Sequence, residues 1–289
     1  MAKKIISLVL ALMLVVALCA CGDKKTSDDI EDPEETIVLP PESYDKEDGK
    51  LYREVYYNAN GLKYSSIIYG YDGAGRIANE IELGENDAPV SKSTFEYNDD
   101  GLKTAMLVYN ADGPEEYSFA YRVDYEYDEN GNLTREQRTE NEIVTAVTVN
   151  TYNDSGKLIK EEQYEGEEFL LCAYEYELDE AGNAVKCIRH DYLEGTDVED
   201  RYTYDDKGQL ISTVTCDAEG NAQSRTEYSY DENGNEIKCS VYDSQGGLQS
   251  STSNEYKYDD YGNIAKNVCT HSDGTPGTTI KYTWQYTKG

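Results

Sequence analysis

Only His190 and His271 are available as side chains that exchange protons near neutral pH in this chain of 289 residues. Neither recurs at a spacing with Ser or Cys that would build a nucleophile and its base. Cys187-x-x-His190 and Cys269-Thr270-His271 have a metal-like look. Neither supplies four ligands, and residues three apart on a strand point to opposite faces. Asp128, Asn130 and Asn132 imitate the opening of a calcium loop, but Gly131 falls at the fourth place rather than the sixth, and Thr139 stands where a bidentate Glu is required. Paired carboxylates for glycoside hydrolysis could be drawn anywhere from 58 acids, so finding a pair decides nothing. The residues point to no enzyme, no resident metal and no cofactor.

Cysteine chemistry is limited in the same way. Of seven cysteines, Cys19 and Cys21 end an apolar N-terminal run, which leaves Cys172, Cys187, Cys216, Cys239 and Cys269, an odd number that cannot all pair internally. Cys187 and Cys239 each stand five residues after a recurring glycine, four strands and therefore ~19 Å apart. Cys172 and Cys187 fall on adjoining strands with their side chains on opposite faces, so free thiols are expected.

Aromatic chemistry is plentiful: 28 Tyr stand against 3 Phe and 1 Trp. Tyr125-Glu126-Tyr127, Tyr202-Thr203-Tyr204, Tyr228-Ser229-Tyr230 and Tyr256-Lys257-Tyr258 alternate ring with polar residue at the strand period of two. These eight tyrosines are the candidate binding surface. A row of rings flanked by Ser, Thr and Asn offers stacking faces and hydrogen bonds to a sugar, although a purely structural ladder would repeat in the same way.

The elements that carry those rings repeat. Tyr71-Asp72-Gly73-Ala74-Gly75 opens a series of eight copies whose last is Tyr258-Asp259-Asp260-Tyr261-Gly262, and the closing glycines step by 26, 30, 25, 26, 26, 26 and 28 residues. Asp or Asn first and Gly fourth suit a type I turn closed by a glycine bulge, which makes a hairpin. In that frame Tyr204 pairs with Leu210, and Leu133, Leu158 and Ile264 take the equivalent place. Second turn signals at Gly113, Gly166, Gly195, Gly220, Gly246 and Gly274 reverse the chain every 12 to 14 residues. The reading is all-β: a long curved antiparallel meander of about seventeen or eighteen strands, forming an open spiral sheet over 50–289 with its tyrosine face concave or packed on itself. Tyr282-Thr283-Trp284-Gln285-Tyr286 supplies an aromatic closing strand.

The beginning of the chain has another purpose. Lys3 and Lys4, the apolar run Ile5 to Leu18 and the small Ala20 have the three parts of an export signal, too short for a comfortable membrane span. Leu18-Cys19-Ala20-Cys21 resembles a bacterial lipobox, which implies cleavage after residue 20 and acyl chains such as palmitate on Cys21. Residues 21–49, acidic and carrying Pro33, Pro40 and Pro41, read as a disordered linker. The expected address is the extracytoplasmic face of the cell membrane or the cell surface, with the membrane as partner through lipid alone. A formal charge of −32 repels nucleic acid and anionic head groups.

Tyr-x-Tyr-Asp-x-x-Gly-Asn, as at Tyr125 to Asn132 and Tyr228 to Asn235, resembles the YD repeat of Rhs-type bacterial proteins and covers roughly Tyr57 to Gly289. Large members of that family wind their repeats into a hollow β-shell around a C-terminal toxin, and such repeats are linked to carbohydrate binding. This chain has far fewer repeats and no plug domain. The resemblance therefore implies a short lipoprotein relative whose repeat domain binds a cell-envelope glycan or protein without catalysis. The alternative is a structural spacer or assembly factor that pairs exposed edge strands with a partner.

Overall fold

The computed structural model describes Gly49 to Tyr286, so the leader, Cys21 and the linker up to Asp48 lie outside the described residues. The first strands are β1 (Lys50–Tyr57), β2 (Lys63–Tyr71), β3 (Ile77–Leu83), β4 (Pro89–Tyr97), β5 (Lys103–Ala111) and β6 (Tyr117–Tyr127). Next come β7 (Leu133–Glu140), β8 (Ile143–Tyr152), β9 (Leu158–Glu165), β10 (Phe169–Leu178), β11 (Ala184–Asp191) and β12 (Thr196–Tyr204). The last are β13 (Leu210–Cys216), β14 (Ala222–Tyr230), β15 (Glu236–Asp243), β16 (Leu248–Tyr258), β17 (Ile264–His271) and β18 (Pro276–Gln285). Each pairs antiparallel with its sequence neighbours.

The motif turns are built as their residues dictate. In the turn between β12 and β13, Asp205 N–H donates to the Gln209 carbonyl at 2.9 Å and Gly208 N–H donates to the Asp205 carbonyl at 3.0 Å. The Asp205 Oδ1 accepts from the N–H groups of Lys207 and Gln209, both at 2.9 Å. Gly208 has φ +78, a left-handed conformation in which a Cβ would clash with the following carbonyl. Tyr204 faces Leu210 while Thr203 faces Ser212, so Ile211 is the extra residue of a bulge. Tyr127 with Leu133, Tyr152 with Leu158 and Tyr258 with Ile264 repeat the pairing.

The expected open spiral is corrected to a closed barrel. β1 pairs with β2 on one side and with β18 on the other, from Lys50 opposite Gln285 to Tyr57 opposite Thr279. All 18 strands therefore form one ring. The physical reason is the cost of two free edges: an open sheet would leave a row of N–H and C=O groups unpaired on β1 and on β18. A bulge in every motif hairpin adds twist and coils the ends toward each other. The aromatic strand Tyr282 to Tyr286 does close the sheet, against β1 rather than against solvent.

Among the described residues there is no packed core. The buried hydrophobic residues are Ala105, Val108, Val123, Val147, Ala173, Cys187 and Cys216, none larger than Val, and strands make their main contacts with ladder neighbours. With a circular section, eighteen strands at ~4.8 Å and ~40° tilt give a backbone diameter of roughly 36 Å, wide enough for a water-filled lumen. One rim carries the eight motif turns together with Gly49 and Tyr286, and the other carries the remaining nine turns.

Strand alternation assigns the two faces. Tyr121, Val123, Tyr125 and Tyr127 share one face of β6 and pair across to Arg138, Glu136 and Leu133 on β7. Burial pushes the Glu80, Glu136 and Glu236 carboxyls on this face above their ordinary range. On the other face Glu199 is held below its range by a hydrogen bond from Arg201, with Lys186 assisting. The tyrosine face, with the more desolvated carboxylates, is assigned to the lumen, and the buried small residues Ala105, Val147, Ala173 and Cys216 lie on the other face beneath its charged side chains.

Candidate functional site

The luminal tyrosines divide into a ladder and its exceptions. Tyr71, Tyr97, Tyr127, Tyr152, Tyr204 and Tyr230 donate their phenol O–H to the carbonyls of Leu51, Ile77, Lys103, Leu133, Ala184 and Leu210, at 2.6 to 2.8 Å. Tyr256 donates to Glu236 at 3.0 Å, and Trp284 Nε1–H donates to Ile264 at 2.9 Å. Each accepting carbonyl stands just beyond the end of a ladder. β13 and β14 pair from Ser212 opposite Glu227, so the Leu210 carbonyl has no facing backbone N–H and Tyr230 supplies the missing donor. The ring thus extends the sheet by one bond across each seam between repeats. In the fifth copy Leu178 stands in the tyrosine's place and has no hydroxyl to give.

This geometry sorts the eight tyrosines singled out in the sequence. All eight lie on the luminal face. Tyr127, Tyr204, Tyr230 and Tyr256 are ladder donors, with hydroxyls committed to the backbone. Tyr125, Tyr202 and Tyr228 sit deeper along the wall, and burial raises all three phenols above their ordinary value. Tyr125 faces Glu136, and the Lys103 Nζ lies 5.6 Å from its ring centre and 4.5 Å from that of Phe95. Tyr202 has Cys187 and Asp200 as neighbours, and burial pushes the Cys187 thiol up to about 11.

Tyr258 is the exception. β16 is 11 residues long and slides two residues further along β15 than β14 does along β13, with Lys238 opposite Ser253 where Ser212 meets Glu227. That slide delivers Tyr256 to the waiting carbonyl and carries Tyr258 out to the motif rim. There Asn235 Nδ2 donates to the Tyr258 hydroxyl at 2.7 Å, Asn233 Nδ2 lies 3.4 Å away, and the hydroxyl reaches Asp231 Oδ2 at 3.3 Å. The ring is 40 % exposed. Tyr258, Trp284, Asn233, Asn235, Asn263, Gly262 and Ile264 line an open recess of about 460 Å³. Asn263 Nδ2 donates to the Tyr286 hydroxyl at 2.8 Å, and the Tyr261 and Tyr286 rings stack beside it at 4.3 Å. Hydrogen bonds from Asn235 hold the Asp231 carboxyl below its usual range, so it is an anionic acceptor at neutral pH.

Two aromatic faces and three amides suit a neutral polyhydroxylated ligand: the rings cover C–H faces while the amides take hydroxyls, and the Asp231 carboxylate behind them holds Asn235 and Tyr258 in place. Sequence reasoning found Tyr258 but missed Asn233, Asn235, Asn263 and Trp284 as its companions. The Gly-Asn pair that ends several motif copies was the available signal.

Other residues considered as chemistry are kept apart. His190 points outward, its Nδ1 2.8 Å from Asp197, whereas Cys187 points into the lumen. Among the described residues no three His, Cys, Asp or Glu side chains converge as a metal site. The five cysteines are free. Cys172 and Cys187 share the luminal face rather than opposite faces, because a bulge between Glu177 and Leu178 supplies a one-residue shift; Cys172 nonetheless faces Asp191, four residues from Cys187.

The outer wall is charged. Arg122, midway along β6, pairs with Asp124 at 2.6 Å and Glu96 at 3.1 Å, and Lys186 with Glu177 at 3.0 Å and Glu199 at 3.3 Å. A Lys or Arg on the lipid face of a membrane barrel costs about 2–4 kcal/mol at mid-depth. A wall with such pairs around it belongs in water.

No family model matches the chain, and no curated protein matches it. Among solved structures it is similar to a porin-like protein from Bacteroides uniformis, at 12% identity over 81% of this chain and 96% of that one, with a TM-score of 0.42. It is also similar to the Tc holotoxin pore of Photorhabdus luminescens, at 15% identity over 79% of this chain and 15% of that one, with a TM-score of 0.36. At these scores neither likeness assigns a family or an activity.

Proposed function

We propose that this chain is a short YD-repeat lipoprotein, anchored through acylated Cys21 outside the cytoplasmic membrane, whose barrel binds a cell-envelope glycan without catalysis. Tyr258 carries this reading: of the eight tyrosines singled out in the sequence, it is the exposed one, carried past the ladder position that Tyr256 fills and set beside Trp284 and three amides. The remaining tyrosines build the wall that holds the recess in place. The spacer reading survives only in a narrower form, because closure leaves no unpaired strand edge among the described residues on which a partner strand could grow.

Co-sedimentation of the detergent-solubilised full-length protein with purified cell-wall polysaccharide tests the proposal. Saturable binding is expected, insensitive to moderate salt because the ligand is neutral. Tyr258→Ser and Asn233→Ala should each weaken it about tenfold, which corresponds to ~1.4 kcal/mol, while Tyr202→Phe should not. Absence of saturable binding, or equal binding by the Tyr258→Ser protein, refutes it.

A further inference from the structure

The rim opposite the recess has a different chemistry. Its nine turns, between residues 57 and 276, contain twelve Asp or Glu and no Lys or Arg. Alongside those acids, successive hairpin tips expose large apolar side chains. Ile143 stands 66% exposed at the β7–β8 tip, Phe169 56% at the β9–β10 tip, and Tyr192 and Leu193 54% and 65% at the β11–β12 tip. Single exposed apolar residues need no explanation, but three adjoining tips in a row form a surface.

The tips are held in place. Gly166 N–H donates to the Thr145 carbonyl at 2.9 Å, tying the β9–β10 turn back to β8, and Tyr192 N–H donates to the Leu171 carbonyl at 3.0 Å, tying the β11–β12 turn to β10. Between the first two tips lies a notch of about 430 Å³, lined by Val144 and Phe169 and by the carboxylates of Glu165, Glu167 and Glu168. Its apolar floor and acidic lip match an aliphatic stem that ends in a cation, the chemistry of Lys or Arg.

From the apolar row and the charge around it we infer that this rim docks a basic amphipathic helix of a partner protein. Adjacent tips are two strands apart, ~10 Å, and residues one heptad apart on a helix rise ~10.5 Å. Apolar residues of such a helix therefore meet Ile143, Phe169 and Leu193 in turn, while its Lys and Arg reach the acids between them. The same acids act against the other occupants. A second copy of this chain would bring an identical acidic rim, and anionic lipid would be repelled. This surface is independent of the glycan reading, since it lies on the other rim and uses none of the recess residues.

Anisotropy titration of the full-length protein tests the inference. The probe is a labelled peptide about three heptads long, with Leu on one helical face and Lys on the other, at physiological ionic strength. The controls are the same composition shuffled to abolish the apolar face and a version with Glu in place of Lys. The amphipathic basic peptide should bind about tenfold more tightly than the shuffled one, and the Glu version should not bind. The combined Ile143→Ser, Phe169→Ser and Leu193→Ser variant, whose changes are all at exposed tips, should lose that tenfold preference while keeping an unchanged melting curve. Glu167→Lys with Glu168→Lys should weaken the basic peptide at least fivefold. Equal binding of the shuffled peptide would reduce the effect to bulk charge and overturn the inference. Retained preference in the Ser variant would overturn it as well, as would vesicles or self-association claiming the same three tips.

Discussion

If the ladder tyrosines act by capping carbonyls, removing hydroxyls alone should loosen the barrel. Tyr71→Phe, Tyr127→Phe and Tyr204→Phe keep every ring and delete the bonds to Leu51, Lys103 and Ala184, which are 2.6, 2.8 and 2.8 Å long. These sites are part-buried, so each carbonyl can partly recover water and the cost falls near ~1 kcal/mol rather than the ~3 kcal/mol of a dry orphan. The three tyrosines lie on β2, β6 and β12, at least four strands and therefore ~19 Å or more apart, and share no partner, so their effects should add to about 3 kcal/mol. For a domain of this size that lowers the melting temperature by roughly 6–12 °C. Thermal and urea melts of the single, double and triple variants provide the assay, with Tyr258→Phe as a control expected within about 0.5 kcal/mol of the parent. The converse change, Leu178→Tyr, gives the fifth copy its missing donor toward Leu158 and should add ~0.5–1 kcal/mol. A triple variant that melts within about 2 °C of the parent would show that ring packing, not the hydroxyl bond, sustains the seams. Equal losses for Tyr258→Phe and Tyr204→Phe would remove the distinction on which the recess rests.

Three further outcomes are expected. Asn141 and Glu142 both adopt positive φ, +48 and +67, in the two-residue β7–β8 turn; Glu142→Gly should relieve that backbone and stabilise the fold by ~1 kcal/mol in urea melts, and a destabilised variant would contradict the strain. Melting temperature should pass through a maximum in mild acid. The luminal Glu80, Glu136 and Glu236 have folded pKa values raised above the ordinary 4.5 by burial, so the folded state binds protons more readily and gains stability as pH falls through those values. Asp128, Asp217 and Asp231 in the turns have folded values lowered below 3.8, mainly by hydrogen bonds from Asn132, Asn221 and Asn235, and the stability they contribute is lost as pH falls further through them. A stability that falls steadily from neutral pH into acid would contradict the luminal burial. Finally, Cys21→Ser should move the protein from the membrane pellet to the soluble fraction of fractionated cells, and an unchanged pellet would point to anchoring by something other than acylation.

The hairpin was legible in the chain because everything that specifies it lies within seven residues: Asp205 bonds Lys207 and Gln209, Gly208 takes the positive φ, and Tyr204 then has to meet Leu210. Closure was not, because it is a pairing of Lys50 with Gln285 across the whole length of the domain, and the Asn58 to Gly61 turn at the end of β1 announces β2 but nothing local announces β18. The misplacement of Cys187 shows the same limit on a smaller scale: one bulged residue reverses a face, and the alternation rule carries no information about where the bulge falls. The recess tests the idea hardest. Two motif copies arrive late, after glycine steps of 30 and 28 residues, and spacing alone makes them alike. In the first, the longer span includes a bulge between Val108 and Tyr109, and Tyr127 still reaches its carbonyl. In the second, the surplus goes into register, and the strand slides two residues past its neighbour. The first outcome preserves the ladder and the second releases a tyrosine, so the candidate site comes from how the sheet absorbs an irregularity, a choice made by the pairing of β15 with β16 and not by the residues of the motif.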